Sequence, residues 1–415
     1  MVFAWHHGAA VTVEEWHGAA HALAARLPRR PYVVNLCEDR YAFAVAFAAA
    51  LIARQTTLLP PSRAPQAVED SCAGRDAYRL TDEEVLQPGR AAPAGSSFSF
   101  HENHVAAIVF TSGSTGRPVA QAKTWGSLVA GARAFAGLFS IRAPACVLGT
   151  IPPQHMFGLE STVMLPWQNG LAIHSGRPLL PADLGAAIAE SVAPCWLMTS
   201  PLHLRACVSA RQALPGLAGV VSSTMPLERE LAREAEALWQ APVHEIYGSS
   251  EAGMIAARRP AADAVWQLCP GVEMLERDGA RWVRGGHILE PQRIADELEP
   301  CGERRFLLHG RTASLVKIAG KRTTLEALNA ALSRIEGVRD GVFYQREGAA
   351  RLGALVVAPG RSARAVRAAL RRYIDPAFLP RPLHLVDSLP RSESGKLGRQ
   401  ALLDFVAALD SETAS

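Results

Sequence analysis

Residues 110–123 run FTSGSTGRPVAQAK, directly after the apolar stretch 105–109. A hydroxyl-rich, glycine-punctuated loop that leaves a strand is suited to cradling an anion. Thr111, Ser112, Ser114 and Thr115 offer hydroxyls, and Gly113 and Gly116 leave backbone N–H groups free to turn inward. A Walker loop closes with Gly-Lys-Ser/Thr, and its lysine reaches the outer phosphates. Here Gly116 is followed by Arg117 and Pro118, and lysine arrives only at Lys123. Lysine is scarce throughout: of 43 Lys+Arg only Lys123, Lys317, Lys321 and Lys396 are lysine. A compact, flexible ammonium does work that a rigid guanidinium fork does not, so these four positions are leads. Gly395 before Lys396 and Arg399 after it predict an exposed loop for that lysine.

The elements that must position these residues alternate. Thr12-Val13-Glu14-Glu15 has the pattern of a capping box opening a helix to about Leu27. A strand at 32–36, a helix at 41–54 and a strand at 56–59 then form a βαβ pattern. Residues 60–100, rich in Pro, Ala, Gly, Ser and charge, are expected to be connecting structure. Strands are predicted at 105–111, 145–151, 171–175, 195–200, 219–223 and 243–247, with helical patterns between them such as 227–239. That alternation predicts an α/β fold: a large N-terminal domain of mostly parallel sheets flanked by helices. Short strands and turns follow residue 265. A smaller α+β unit comes next, with helices at 324–335 and 362–373 and strands at 338–344, 352–358 and 383–387. The expected domains are residues 1–311 and 312–415.

Five segments in order resemble the adenylate-forming superfamily of acyl- and aryl-CoA synthetases, peptide-synthetase adenylation domains and luciferases. They are the loop above, His155-Met156-Phe157-Gly158-Leu159, Tyr247-Gly248-Ser249-Ser250-Glu251, Gly310-Arg311 with Leu315 to Gly320, and Leu389-Pro390-Arg391-Ser392-Glu393-Ser394-Gly395-Lys396. The resemblance implies that carboxylate and ATP give an acyl-adenylate and pyrophosphate, and that a thiol then takes the acyl group. It implies that Thr111, Ser112, Gly113, Ser114, Thr115 and Gly116 hold the β- and γ-phosphates. Glu251 would ligate Mg²⁺, a hard-oxygen role compatible with an acidic residue at a helix start. Tyr247, with Gly248, Ser249 and Ser250, would lie against adenine, and Ser223 and Thr224 beside it. His155 would flank the carboxylate pocket. Asp296 resembles the TGD aspartate that binds both ribose hydroxyls, with Ile-Ala in place of Thr-Gly, and Arg311 opens the hinge segment. Lys396 would be delivered by a mobile lid to offset charge on the carboxylate and α-phosphate. The hinge position, normally Asp or Lys, is Ala313, and the Lys317 to Gly320 loop is expected to line a pantetheine tunnel. Lys123 has three readings: part of the phosphate contact, a contact with a carrier partner, or a surface lysine at a helix start.

The pocket segment lacks the aspartate by which peptide-synthetase domains pin an α-amino group, so an α-amino acid is disfavoured. His155, Phe157, Trp196 and Met198 suggest an apolar or aromatic pocket, although such residues are more often core. The compact size and the PVAQAKTWGSL variant resemble small ligases of bacterial aryl-polyene or xanthomonadin-type pigment pathways. That likeness implies an aromatic or fatty acid, with 4-hydroxybenzoate- or cinnamate-like acids first. The expected acceptor is CoA or the phosphopantetheine of an acyl carrier protein. A second reading is a degenerate member that binds nucleotide or carrier protein with little catalysis. A third, an oxygenase of the luciferase kind, shares the motifs. Net charge is +4 and no basic run marks a nucleic-acid surface. Seven cysteines without a CxxC pair argue against zinc or a disulfide framework. The longest apolar run, 41–53, is too short to span a bilayer. With no secretory signature at residues 1–16, the reducing cytosol is the expected compartment.

Overall fold

The computed structural model describes residues 1–415 except 88–97, 113–117, 192, 312–314, 319–320, 347–348, 350, 393–394 and 415. Gly113, Ser114, Thr115, Gly116 and Ala313 therefore lie outside the described residues, and Thr111, Ser112 and Arg311 are described in backbone only. The chain divides into two compact units. The larger holds Met1–Arg293, Cys301–Phe306 and Glu393–Gly395, and the smaller holds Ile294–Pro300, Leu307–Ser392 and Lys396–Ser415.

The larger unit starts with a hairpin, Val2–His6 and Ala9–Thr12, which the sequence pattern did not signal. Thr12 then caps the helix Val13–Ala24. Its hydroxyl accepts from the Glu15 N–H at 3.1 Å, while the Glu15 carboxylate accepts from the Thr12 N–H at 2.7 Å. This is the reciprocal cap the sequence predicts. Trp16 on the helix stacks on Phe3 of the hairpin at 4.0 Å. The helix Arg40–Ile52 is apolar nearly all round and is buried from Arg40 to Leu51, as its composition requires. It crosses between the parallel strands Tyr32–Asn35 and Thr56–Leu59, paired Tyr32 to Thr56.

Those strands belong to a five-stranded sheet in the order Ala77–Leu80, Tyr32–Asn35, Thr56–Leu59, Val105–Ser112, Pro118–Thr124. Its first four strands are parallel, and the last two form an antiparallel hairpin around the phosphate-loop sequence. Residues 60–100 are thus more than connecting structure. They hold the helix Pro65–Cys72, the edge strand Ala77–Leu80 and the short helix Asp82–Val85. A partly exposed four-residue edge strand buries little, so its sequence carries no run of apolar residues.

The second sheet of this unit has the strand order Ala9–Thr12, Val2–His6, Ala172–His174, Cys146–Gly149, Cys195–Thr199, Leu217–Ser222, Val243–Ser249, Gly253–Arg258, Trp266–Leu268. The five neighbouring strands from Ala172–His174 to Val243–Ser249, together with Val2–His6, run parallel. The strands Cys146–Gly149, Ala172–His174 and Cys195–Thr199 are buried along their whole length, which fits their largely apolar sequence. At the edge, Trp266 and Gln267 pair with Phe306 and Arg305. A three-stranded sheet, Glu273–Arg277, Ala280–Gly285 and Ile288–Ile294, follows.

The smaller unit is α+β. It contains the hairpin Leu315–Ile318 with Lys321–Thr324, and a three-stranded sheet of Asp340–Tyr344, Gly353–Val357 and Leu383–Leu385. Leu328, Leu332, Phe343, Leu352, Val366 and Leu370 form its core. The C-terminal helix Arg399–Ala414 closes the chain. Among the described residues no helix is long and apolar enough to cross a membrane.

Candidate active site

In open α/β sheets, ligands gather outside the carboxyl ends of the parallel strands. In the larger unit those ends carry hydroxyls. Thr150 follows the strand Cys146–Gly149, Thr199 and Ser200 end Cys195–Thr199, and Ser222 to Thr224 end Leu217–Ser222. Thr199 and Ser222 are paired in register. The Thr150 and Thr199 hydroxyls lie 2.9 Å apart, and His203 Nδ1 reaches Ser200 Oγ at 3.0 Å. Burial, with Arg177 nearby, pushes the His203 pKa below its ordinary value. Two oxygens stand out. Ser222 Oγ and Thr224 Oγ1 are buried and have no hydrogen-bond partner among the described residues. A buried hydroxyl without a partner costs free energy, and Thr224 also sits at φ +80°. Both features fit hydroxyls reserved for a polar ligand.

Tyr247 ends the next strand, Val243–Ser249, in which Ser222 pairs with Glu245. Its half-buried ring packs edge-on to Trp266 and Phe306 at 5.8 and 6.0 Å. The chain then turns tightly. Ser249 Oγ accepts from the Ala252 N–H at 3.2 Å, and a side chain at Gly248 would overlap the Gly253 carbonyl. Glu251 stands exposed on this turn, with Gln121 Nε2 3.5 Å from its Oε1. An exposed carboxylate beside a phosphate-loop hairpin is a donor set that suits Mg²⁺.

Lys123 corrects the surface-lysine reading. It is only 8% exposed, and its Nζ donates to the Glu251 backbone carbonyl at 2.5 Å. Burial lowers its pKa, opposed by the charges of Glu160 and Glu251. Glu160 is itself buried. Burial pushes its pKa up to about 7, against the opposing pull of Lys123 and a bond from the Met254 N–H. His287 is buried beside it, and both residues line the space around Gly131 and Gly253.

His155 caps the short helix Met156–Leu159, its Nδ1 accepting from the Phe157 N–H at 3.2 Å. Gly158 is obligatory, because a Cβ there would overlap the Pro152 carbonyl oxygen. The approach to this segment is held by Arg40, which is fully buried. Its guanidinium donates to Thr162 Oγ1 (3.0 Å) and to the carbonyls of His174 (3.3 Å), Gly176 (2.8 Å), Gly149 (3.1 Å) and Ile151 (3.0 Å).

In the smaller unit, Asp296 is half-buried at the start of the strand Asp296–Pro300. Arg311 ends the strand Arg305–Arg311. Lys396 is exposed on a turn closed by the Ser392 N–H to Lys396 carbonyl bond at 2.8 Å. Arg391 and Leu397 bridge across the turn, and the Arg391 guanidinium grips the Asp340 carboxylate at 2.7 and 2.8 Å.

The profile of the AMP-binding enzyme family matches residues 10–275. The chain belongs to this family. It is 31% identical over 299 residues to a 4-coumarate–CoA ligase of Rhodobacter capsulatus, covering 70% of this chain and 74% of that one. A 4-coumarate–CoA ligase of Cereibacter sphaeroides is 26% identical over 294 residues, covering 69% of each chain. Among solved structures, the fold is shared with an O-succinylbenzoate coenzyme A synthetase of Bacillus subtilis in complex with AMP. The TM-score is 0.81 at 17% identity, over 96% of this chain and 94% of that one. A benzoate CoA ligase of Burkholderia xenovorans gives a TM-score of 0.76 at 17% identity, over 97% and 96%. The protein is an AMP-forming acid–thiol ligase of the adenylate-forming superfamily.

Within this family member, the structure brings together Ser223, Thr224, Tyr247, Gly248, Ser249 and Ser250 at adjoining strand ends, with Glu251 tied to the phosphate-loop hairpin. Arg40, Glu160, His203 and His287 carry no signal in the sequence pattern. Single charged or imidazole residues in apolar surroundings have no periodicity to betray them. Glu160, one residue beyond the His155–Leu159 segment, could have been noticed as an acid inside an otherwise apolar helical run.

Proposed function

We propose that the protein activates an aromatic carboxylic acid as its adenylate with MgATP and transfers it to the thiol of CoA or of a carrier-protein phosphopantetheine. One carboxylate oxygen attacks the α-phosphorus, the α–β bridging P–O bond breaks, and pyrophosphate leaves. The thiol sulfur then attacks the acyl carbon, AMP leaves with the C–O bond electrons, and the thiol proton passes to solvent. Such chemistry depends on positioning and charge neutralisation. The observation that carries the reading is the pair of buried hydroxyls without a partner among the described residues, Ser222 Oγ and Thr224 Oγ1, at the strand ends that also carry Tyr247.

Thr111 to Gly116 hold the outer phosphates, Tyr247 and its neighbours hold adenine, Asp296 holds the ribose diol and Arg311 assists the nucleotide. Glu251 holds the metal; bound Mg²⁺ would neutralise phosphate charge. His155 borders the carboxylate, and Lys396 supplies an ammonium to the oxygens where charge develops. An aryl acid is supported by similarity to the 4-coumarate–CoA ligases. The compact pigment-pathway type supports carrier protein as an acceptor, and 4-hydroxybenzoate- or cinnamate-like acids head the candidates. Incubation of the protein with MgATP and a panel of aryl and fatty acids, first with CoA and then with holo-carrier protein, tests this by mass spectrometry of the products. An aryl thioester on either acceptor is expected. Thioesters formed only from fatty acids would overturn the aryl assignment.

A further inference from the structure

Lys123 is the first lysine after the phosphate-loop sequence, and it is buried. On the strand Pro118–Thr124, its Nζ reaches the carbonyl of Glu251 at 2.5 Å, while Gln121 on the same strand approaches the Glu251 carboxylate at 3.5 Å. Two residues of one strand thus meet both the backbone and the side chain of the residue that holds the metal in the proposed function. The strand is the second arm of the phosphate-loop hairpin, in register from Ser112 with Pro118 to Ala107 with Lys123, and the register shifts between Ala107 and Val105. The loop that grips phosphate and the turn that grips metal are therefore tied by a charge-assisted bond.

The other end of the turn is tied from below. The Met254 N–H donates to the Glu160 carboxylate, and Gly253 lies against Glu160 Oε1 so closely that a side chain there would collide with it. Glu160 begins the π-helical turn Glu160–Met164 that continues the His155 segment. Lys123 and Glu160 are both buried and each acts on the other's charge. A buried ammonium requires such compensation. The result is a braced turn. One anchor comes from the phosphate hairpin and holds Glu251 itself, and the other comes from the turn that follows the His155 segment and holds Gly253 and Met254.

We infer that Lys123 is a positioning residue: bonded to the Glu251 carbonyl, it fixes Glu251 for the divalent cation instead of contacting phosphate itself. The inference rests on the proposed function, in which Glu251 holds the metal. Groups that orient a metal ligand typically change metal affinity 10–100-fold when removed.

The test is calorimetric binding of ATP to the full-length protein, with excess Mg²⁺ and with chelator, for wild type, Lys123→Met, Lys123→Arg and Lys123→Met/Glu160→Gln. In wild type, Mg²⁺ strengthens ATP binding. Lys123→Met is expected to cut that Mg²⁺-dependent gain by roughly tenfold while metal-free ATP affinity stays unchanged. Lys123→Arg, which keeps a charged donor, is expected to recover most of the gain. The double variant removes both buried charges, so it tolerates the loss of the ammonium, and it should show the same reduced gain. Equal losses with and without metal would assign Lys123 to phosphate or to general structure and overturn the inference. So would an unchanged gain in either Met variant. Absence of ATP binding by wild type would instead overturn the proposed function.

Discussion

Arg40 gives the most quantitative prediction. Its guanidinium is completely buried, and its five acceptors are all neutral: four carbonyls and the Thr162 hydroxyl. Burial lowers its pKa to about 10, so it stays charged at neutral pH. Replacement by Met keeps an unbranched apolar stem and removes every bond. Hydrogen bonds from a charged donor contribute roughly 1.5–3 kcal/mol each, while burial of the cation itself costs several kcal/mol. The net loss is about 4 kcal/mol, at the level found when a buried charged network is broken. With about 2.1 cal/mol/K of unfolding entropy per residue, the roughly 300 residues of the larger unit convert this to a fall in Tm of about 6 °C. Differential scanning calorimetry at pH 7 measures it. Lys at position 40 should recover less than half, because one ammonium has three donors and cannot serve five acceptors spread over three segments. A shift in the Met variant below about 2 °C, against that expectation, would show that Arg40 does not pin the strand ends leading to His155.

Gly158→Ala puts a methyl onto the Pro152 carbonyl. It should reduce acid-dependent adenylation at least tenfold and lower Tm, read by pyrophosphate release and calorimetry. His244 is half-buried, and this desolvation, with Arg259 nearby, pushes its pKa down to about 4. A folded-state pKa depressed below the ordinary 6.5 means that neutral His244 stabilises the fold above pH 6.5, and that this contribution is lost as pH falls toward 4. At 1.36 kcal/mol per unit the loss amounts to about 3 kcal/mol. His244→Gln should therefore flatten the fall in Tm between pH 6.5 and 4.5, and an unchanged slope would place the acid sensitivity elsewhere.

Periodicity made most of the fold legible. The strands expected at 195–200 and 243–247 are observed at Cys195–Thr199 and Val243–Ser249; the first is buried at every position and so is apolar almost throughout, and the second carries Val243, Ile246 and Tyr247 ahead of a tight turn. The hairpin Val2–His6 with Ala9–Thr12 and the edge strand Ala77–Leu80 escaped, since short edge strands bury too little to need a pattern. The C-terminal helix Arg399–Ala414 was not expected, although Leu402, Phe405, Val406 and Leu409 recur at helical spacing and pack in the smaller unit. At the site, the Tyr247–Glu251 and His155–Leu159 segments were legible because tight turns restrict residue choice, as the crowding at Gly248 and Gly158 shows. The supporting groups were not. Arg40 reaches acceptors more than a hundred residues away, and Glu160 and His287 meet only in the folded unit. No local sequence window contains such an arrangement. Lys123 was visible as an oddity in a lysine-poor chain, but its burial against Glu251 depends on two strands from different sheets.

Isotope exchange between pyrophosphate and ATP measures most directly the acid activation proposed for Lys396. Wild type should exchange label only when an aryl acid is added, and Lys396→Ala should lose at least a hundredfold of that rate while still binding ATP. Exchange that needs no acid, or that survives intact in Lys396→Ala, would contradict it.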